Sequence, residues 1–416
     1  MRRNCYYFPL LLITAVLMSA CVSKPGAVTL GGKISGLKGT IILSNSGLQS
    51  YTGYYDGEFT FLGSLLQGDS YNVTVAQQPT GQTCVVSGGQ GVFGADNVKS
   101  VVVSCLQPLV IGSWNVQNYG PSKAAVPTIM DELSKVIMHF DAIFIQEMPT
   151  ATTSVTCAGH SNMAPSDCLL ARLNDTDRAG PLGYSLLPSS TSGSGGNAEK
   201  YACYYKTSKI TVLTSYLADA AVPAITPAIT FTRPPFIVRL KAGSLDFFVV
   251  SIHTTPDNVL TRSEINQLPY VANYLAPTDA DIIILGDFNS GSTYFTPSTD
   301  WTPYFNNFTT SGYANYITET MDTTVSTGNT YTYDRMTLSP SLAGKVENAS
   351  AGPYYFDGLG AGATCTSGDT PALMNAIIAA GCSGGILFGH VSNPCTCNGA
   401  ASEVSDHYPV GLQLNY

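Results

Sequence analysis

Residues 281–289 read DIIILGDFN, an apolar run that ends in an acid and an amide. The run Ile-Ile-Ile-Leu predicts a buried β-strand, because strands covered on both faces consist of such residues. That strand delivers Asp287 and Asn289, two residues apart, to one end of a sheet. Taken alone, a polar residue at a strand end is more typical of a turn or a cap.

The same pattern recurs along the rest of the chain. Apolar strands are predicted at 109–115, 141–147 and 247–253, and SDHYP (405–409) precedes a last strand at 410–414. Three carboxylates, two amides and two histidines at successive strand ends are not explained as turns, so they predict a chemical site. The seven residues are Asn115, Glu147, His253, Asp287, Asn289, Asp406 and His407.

Helices alternate with these strands. Residues 124–140 carry an apolar stripe at helical spacing, and a second helix is predicted at 263–275. The interleaved order predicts an α/β layered domain with its chemistry at strand ends.

Residues 27–106 differ, because they contain no plausible helix. Short β-rich runs separated by Gly, Asn, Asp and Gln predict a small all-β sandwich. The runs are 27–34, 39–43, 58–61, 70–75, 83–87 and 98–105. The segment resembles immunoglobulin-like or transthyretin-like modules of bacterial surface lipoproteins. That resemblance assigns no activity to the segment. Its role as a spacer and its role as an adhesive module are both left open.

The amino terminus has the features of a secretory signal: Arg2 and Arg3, an apolar stretch over 6–18, then small residues before Cys21. Ser19-Ala20-Cys21 also resembles the bacterial lipoprotein box, although Met18 stands where leucine is usual. We expect residues 1–20 to be removed and Cys21 to carry lipid at the outer membrane or cell surface. A secreted protein with an ordinary signal peptide cut near Ala20, or a membrane anchor, is the alternative.

Composition limits the class of protein. The 416 residues are 44% hydrophobic and 11% charged, with a net charge of −9, which excludes a disordered chain and a basic nucleic-acid binder. Loss of residues 1–20 removes two arginines and no acid, so the charge becomes −11.

Nine cysteines remain beyond Cys21, and export predicts that most are paired. Cys84–Cys105 and Cys157–Cys168 are the expected local disulfides, and Cys203, inside a predicted strand at 201–206, is the expected free thiol. Two more disulfides, with their connectivity open, are expected among the four cysteines of the C-terminal part. These are Cys365, Cys382, Cys395 and Cys397. Disulfides are favoured over a zinc site there, because Cys395-Thr-Cys397 lacks the two-to-four-residue gap of zinc knuckles.

The order WN…QE…H…GDFN…SDHYP resembles the endonuclease/exonuclease/phosphatase superfamily over residues 109–416. FTRPP (231–235), residues 253–275 and YDR (333–335) are similar to its deoxyribonuclease I branch. The resemblance implies a four-layer α/β/β/α sandwich at 108–416. It would follow a signal peptide at 1–20 and the β-sandwich module at 21–107.

The resemblance also implies roles for single residues. His253 and His407 would be the acid and base, in an order left open, with Glu199 and Asp334 as their carboxylate partners. Asp287, beside the two asparagines Asn115 and Asn289, would orient the water or the metal. Phosphate binding would fall to Asn115, Asn289 and Arg233. Glu147 and Asp406 would hold Mg²⁺, with Ca²⁺ or Mn²⁺ as further candidates.

Other positions depart from that branch. Pro149 replaces an arginine that enters the DNA minor groove, and Asn197 replaces a tyrosine that stacks on a sugar. Ser292 and Tyr331 replace a disulfide, and residues 358–401 have no counterpart. The catalytic chemistry is therefore expected to transfer better than the DNA-binding surface.

The sequence predicts a monomeric metal-dependent endonuclease that cleaves DNA with little sequence specificity. RNA is a further candidate substrate. One alternative is a phosphodiesterase of the same fold that acts on phospholipid head groups, as a sphingomyelinase does. A second alternative is a non-catalytic surface-binding lipoprotein, which the intact set of polar residues disfavours.

Overall fold

The computed structural model describes residues 27–415, except 64, 81, 107, 151–152, 158, 177–182, 219–224, 226–227, 292, 301–310, 326–330, 348–349 and 355–403. The chain divides into two compact units, Met1–Cys105 (unit 1) and Leu106–Tyr416 (unit 2). No helix among the described residues is long and apolar enough to cross a membrane.

Unit 1 contains ten strands and, within its described residues, no helix. They are β1 (Ala27–Val28), β2 (Leu30–Ser35), β3 (Ile41–Asn45), β4 (Gln49–Gly53), β5 (Gly57–Thr60), β6 (Leu65–Leu66), β7 (Ser70–Gln77), β8 (Thr83–Ser87), β9 (Gln90–Val92) and β10 (Val98–Leu106). Each predicted run coincides with a strand. The strands β4, β6 and β9 were not predicted, because they are short or alternate polar residues on an exposed face.

Two four-stranded sheets enclose the core of unit 1, with strand orders β5-β2-β10-β8 and β4-β3-β7-β9. Inward-facing residues such as Ile34, Leu43, Phe59 and Val101 are buried between them. The predicted disulfide Cys84–Cys105 is present in this core. Unit 1 is therefore the all-β sandwich that the sequence predicts.

Unit 2 interleaves strands and helices. Its strands are β11 (Leu109–Asn115), β12 (Ala142–Met148), β13 (Val155–Cys157), β14 (His160–Met163), β15 (Tyr184–Pro188), β16 (Lys200–Lys206), β17 (Thr211–Leu217), β18 (Phe236–Ala242), β19 (Leu245–His253), β20 (Ile282–Asp287), β21 (Ala314–Asn315), β22 (Asp334–Leu338), β23 (Gly352–Pro353) and β24 (Val410–Leu414). Its α-helices are α1 (Pro121–Ala124), α2 (Pro127–Ile137), α3 (Pro165–Leu173), α4 (Leu260–Leu275) and α5 (Pro340–Ala343), and a 3₁₀ turn spans Gly195–Asn197.

Two six-stranded sheets form the centre of unit 2, in the orders β15-β16-β12-β11-β24-β23 and β17-β18-β19-β20-β22-β21. Residues such as Phe144, Val249 and Leu285 fill the space between the sheets. On the outer faces, α2 and α3 pack on the first sheet and α4 packs on the second. This is the predicted four-layer α/β/β/α sandwich.

The cysteines of unit 2 follow the prediction as far as the described residues extend. Cys157 and Cys168 form a disulfide, and Cys203 is a buried free thiol in β16. The segment 358–401 with its four cysteines lies outside the described residues.

Gly286 is a backbone position that only glycine fits, and it precedes the key acid of β20. Its φ is +140°, and a Cβ atom there would overlap the carbonyl oxygen of Ile252 in the neighbouring strand β19. We expect Gly286→Ala to lower the free energy of unfolding of unit 2 by more than about 2 kcal/mol in denaturant titrations.

The matched control is Gly344→Ala, because Gly344 has φ −71° and no heavy atom within 4 Å of an added Cβ. That change should alter stability by less than about 0.5 kcal/mol. Equal effects of the two substitutions would contradict the close approach of β19 and β20.

Candidate active site

Strand direction brings the polar residues to one edge of the packed sheets. β11 is parallel to β12, and β19 is parallel to β20, so each pair ends at the same edge. β22 is antiparallel to β20 with Asp334 opposite Asp287, so β22 begins there. β24 is antiparallel to β11, which places the residues just before Val410 near Asn115.

Each predicted histidine is held by a buried carboxylate through its Nδ1 atom. His253 Nδ1 lies 2.9 Å from Glu199 Oε2, and His407 Nδ1 lies 2.8 Å from Asp334 Oδ2. A carboxylate at Nδ1 fixes the orientation of the ring and leaves Nε2 for proton transfer. Both pairs therefore have the geometry of an acid or base held in place by a second residue.

The two imidazoles converge on Asp287. His253 Nε2 is 3.5 Å and His407 Nε2 is 3.6 Å from the same atom, Asp287 Oδ2. That oxygen also accepts a 3.0 Å hydrogen bond from Asn115 Nδ2, and Oδ1 accepts one of 2.8 Å from the Asn289 backbone N–H. Asp287 is thus the centre of the cluster.

The buried charges of this cluster shift one another's pKa values. Burial would lower the pKa of both histidines, yet Glu199 raises that of His253, and Asp334 with Asp287 raises that of His407 well above its usual range. Burial would raise the pKa of Asp287, but the two imidazoles and the Asn115 amide hold it below its usual value.

Asp334 behaves differently from Asp287, although both carboxyl groups are buried. Burial raises the pKa of Asp334 to about 6, and the neighbouring charge of Asp287 adds to the effect, against the opposing influence of His407. Two ionised carboxylates in one buried site repel each other unless cationic groups lie beside them. The protonated forms of His253 and His407 supply that positive charge.

Glu147 is held rigidly at the edge of the same site. Its φ is +60°, a strained value for a residue other than glycine. Its Oε1 accepts a 2.9 Å hydrogen bond from Asn115 Nδ2, and its Oε2 accepts one of 2.5 Å from the Asn118 backbone N–H. The side chain of Asp406 is half-exposed, and partial burial together with the charges of Glu147 and Asp287 raises its pKa.

This donor set fits a divalent cation. Glu147 and Asp406 supply hard carboxylate oxygens whose mutual repulsion a cation would relieve, and Asp406 faces solvent from which an ion can enter. A buried acidic and histidine group lies beside them, in which ligand atoms of Asp287, Asp334 and His407 are all within 4.8 Å of one another.

The three residues predicted to bind phosphate lie in the cluster, with some of their donors already engaged. The Asn115 side-chain N–H groups bridge Glu147 and Asp287, and Asn289 Nδ2 donates to the Thr254 carbonyl at 2.9 Å. Arg233 donates from Nε to the His253 carbonyl at 3.0 Å and from Nη2 to the Thr254 carbonyl at 2.7 Å. The structure brings all ten residues predicted for the catalytic site to this one region.

Lys123 is an important residue that the sequence did not single out. Its Nζ donates to the carbonyls of Val116, Gln117 and Val404 at 3.0, 2.6 and 2.9 Å. The ammonium group therefore ties the chain after Asn115 to the chain before Asp406. Burial lowers the pKa of Lys123, while Asp406 and Glu147 oppose that shift. Its position in a helix of only four residues offered no signal in the sequence.

Hydroxyl groups also position the histidines and their partners. Ser405 Oγ donates to the Asn115 carbonyl at 2.6 Å and accepts from the His407 backbone N–H at 3.1 Å. Thr323 Oγ1 accepts from the Asp334 backbone N–H at 3.1 Å. Ser405 belongs to the SDHYP motif, whereas nothing in the sequence pointed to Thr323.

A cavity of about 410 Å³ opens beside Glu147 and His253. Pro149 and Asn197, two of the departures from the deoxyribonuclease I pattern, line it together with Arg233. Their short side chains leave open space on this flank of the histidine cluster, so a substrate can approach it there.

Comparison with known proteins shows which family the chain is similar to. The model of the endonuclease/exonuclease/phosphatase family matches residues 112–341. Bovine deoxyribonuclease-1 is 27% identical over 256 residues, covering 60% of this chain and 83% of its own. Human deoxyribonuclease gamma is 30% identical over 239 residues, covering 55% of this chain and 71% of its own.

Solved structures of the same family are also similar. A family protein from Leptotrichia buccalis covers 74% of this chain and 100% of its own, at 16% identity and a TM-score of 0.46. One from Bacteroides vulgatus covers 74% and 99%, at 14% identity and a TM-score of 0.43. The family model matches more than half of this chain, and the chain therefore belongs to the endonuclease/exonuclease/phosphatase family.

Proposed function

We propose that this protein is an exported, metal-dependent endonuclease that hydrolyses DNA phosphodiester bonds with little sequence specificity. The observation that supports this most directly is the pair of imidazoles, each held at Nδ1, whose Nε2 atoms lie 3.5 and 3.6 Å from one oxygen of Asp287. The relatives named deoxyribonuclease favour DNA as the substrate, with RNA as an alternative.

Hydrolysis of a phosphodiester needs a base and an acid at the same time. One imidazole Nε2 takes a proton from water as the water oxygen bonds to phosphorus. The other Nε2 gives a proton to the departing oxygen as its bond to phosphorus breaks. Asp287 keeps both rings in place and stabilises the positive charge on whichever ring is protonated.

The negative charge of the phosphate requires donors and a cation. Asn115, Asn289 and Arg233 would donate from their side chains to the phosphate oxygens once a substrate displaces part of their present hydrogen bonding. Glu147 and Asp406 would hold the cation, taken as Mg²⁺ with Ca²⁺ or Mn²⁺ as further candidates. When bound, the ion supplies positive charge next to the phosphate oxygens.

The net negative charge of the chain affects how it would bind DNA. Unit 2 beyond Gln107 has 13 basic and 24 acidic residues, a net charge of −11. DNA affinity built on lysine and arginine contacts is therefore weak, and binding should depend on the cation. We further propose that the protein acts as a monomer outside the cytoplasm and is anchored through lipid on Cys21.

Removal of either histidine gives the first test of this function. We expect residues 22–416 to nick supercoiled plasmid with Mg²⁺, and His253→Ala or His407→Ala to lower the rate by at least ~10²-fold. His160→Ala is the matched control, because His160 also pairs with a carboxylate, Asp175 at 2.8 Å, but away from the cluster. Gel densitometry of nicked plasmid measures the rates.

Other outcomes of that assay separate the alternatives. Wild-type protein that leaves DNA and RNA intact but releases phosphocholine from sphingomyelin would favour the lipid phosphodiesterase. Inertness toward all three substrates would favour the non-catalytic lipoprotein. Plasmid cleavage by both histidine variants at the wild-type rate would refute the site assignment.

The carboxylate partners should set the pH dependence. Because Glu199 and Asp334 raise the pKa values of His253 and His407, Glu199→Gln and Asp334→Asn should each lower the pKa of their own histidine. The base loses activity as it is protonated at low pH, and the acid loses activity as it is deprotonated at high pH. We therefore expect one variant to shift the acidic limb of the rate profile to lower pH and the other to shift the alkaline limb to lower pH.

That experiment also assigns the acid and the base. The variant that moves the acidic limb identifies the histidine acting as base, and the variant that moves the alkaline limb identifies the acid. A shift of the same limb in both variants, or a shift to higher pH, would argue against separate roles for the two pairs.

Loss of a cation ligand should be visible in the metal dependence. EDTA should stop cleavage, and Glu147→Gln should raise the Mg²⁺ concentration for half-maximal rate by at least ~10-fold. Glu58→Gln, which removes the same charge from an exposed position in unit 1, should leave that Mg²⁺ concentration unchanged. An identical Mg²⁺ dependence in Glu147→Gln and wild type would remove Glu147 from the cation site.

A further inference from the structure

Two leucines of unit 1 are exposed to solvent over 88% of their surface. Leu48 lies in the turn between β3 and β4, where its N–H donates to the Asn45 carbonyl at 2.9 Å, and Leu62 follows β5. The Leu62 carbonyl accepts a 3.1 Å hydrogen bond from Gln49 Nε2, so the two loops lie side by side. Single exposed leucines are common, but two on adjacent loop tips are not explained by folding.

The described chain begins at the same end of unit 1. Ala27 pairs with Leu66, which is also exposed, and the Phe61 N–H next to Leu62 donates to the Leu30 carbonyl at the start of β2. We call the surface formed by Leu48, Leu62 and Leu66 the leucine end. The first described strand, β1, and the three exposed leucines therefore share one end of the sandwich.

The opposite end of unit 1 has a different character. Asp56 accepts hydrogen bonds there from the Gly36 and Leu37 N–H groups, and Lys38 follows directly. The Cys105 carbonyl lies against Gly36, so the chain leaves unit 1 toward unit 2 from that charged end. The turns that carry Leu48 and Leu62, residues 45–49 and 61–63, contain no charged residue, whereas Asp69 accepts a 3.1 Å hydrogen bond from the Leu66 N–H.

We infer that the leucine end inserts into the surface of a lipid bilayer and orients the module on the membrane. This inference rests on the proposed acylation of Cys21. Five residues, 22–26, separate Cys21 from Ala27, and the six Cα-to-Cα steps between them span at most ~20 Å when the chain is extended. An acylated Cys21 therefore holds the leucine end next to the bilayer, where uncharged apolar tips are favoured and charged ends are not.

Insertion of the leucine end fixes the orientation of unit 1 on the membrane, which acyl chains alone do not. Lipid on a single cysteine holds the protein at the membrane but leaves the module free to rotate about a short tether. The three leucines at the leucine end fix which end of the parallel strands β2 and β10 faces the lipid.

Fluorescence quenching tests which end faces the bilayer. Acylated full-length mature protein with Leu62→Trp, or with Tyr55→Trp as control, is reconstituted into phosphatidylcholine vesicles with brominated acyl chains. Tyr55 is also exposed, over 77% of its surface, but lies next to Asp56 at the charged end. We expect the tryptophan at position 62 to lose at least ~half of its emission and the one at 55 to lose none, after subtraction of the wild-type signal.

A second measurement keeps the test independent of acylation. The chain 22–416 without lipid should co-sediment with phosphatidylcholine vesicles, and the double variant Leu48→Ser/Leu62→Ser should reduce its partitioning by at least ~10-fold. Tyr54→Ser/Tyr55→Ser should have no effect. Plasmid nicking by all these variants should stay at the wild-type rate, so a failure of the proposed nuclease would be seen separately.

The opposite results would overturn the inference. Equal quenching at positions 55 and 62, or unchanged partitioning of Leu48→Ser/Leu62→Ser, would show that the leucine end does not contact the bilayer. A dimer in sedimentation analysis that Leu48→Ser/Leu62→Ser dissociates, without vesicle binding, would assign the leucines to a second copy of the chain instead.

Discussion

The hydrogen bond from Asn115 Nδ2 to Asp287 Oδ2 is the contact on which the site depends. Asn115 ends a strand of one sheet and Asp287 ends a strand of the other, so the bond exists only when the two sheets are packed. A buried carboxylate is costly without donors and opposite charge. Asp287 receives both, from two amide groups and from two imidazoles that approach the same oxygen.

This arrangement explains why the remaining polar residues lie where they do. Each imidazole near Asp287 needs its own carboxylate, because one buried anion cannot orient two rings through Nδ1. Glu199 and Asp334 meet that need from opposite sheets. Lys123 then joins the loop after Asn115 to the segment that carries Asp406 and His407, through three backbone carbonyls. The cluster is built from both halves of the sandwich.

Strand ends were predictable from the sequence because a long apolar run that stops at an acid or amide is a strong local signal. Asp287, Asn289, Glu147 and His253 were found in this way, and the structure places them at one edge. The partners of the histidines were not predictable from local pattern: Glu199 and Asp334 came only from the family resemblance. Their pairing depends on contacts between residues 54 and 73 positions apart.

Lys123 and Thr323 were missed for a related reason, since both act through backbone groups of distant segments. The strands β6 and β9 escaped prediction because they are only two and three residues long, and β4 because its exposed face is polar and carries little hydrophobic periodicity. The acylation of Cys21 and the pairing of the four C-terminal cysteines stay predictions, because those residues lie outside the part of the chain that the structure describes.

The plasmid-nicking rate of Asp287→Asn tests the central role of Asp287 most directly. The substitution keeps the size of the side chain and an oxygen for the Asn289 N–H, and it removes the charge between the two imidazoles. With the thermal midpoint unchanged, we expect the rate at saturating Mg²⁺ to fall by at least ~10²-fold. A rate within ~3-fold of wild type would contradict a mechanism in which both histidines depend on this carboxylate.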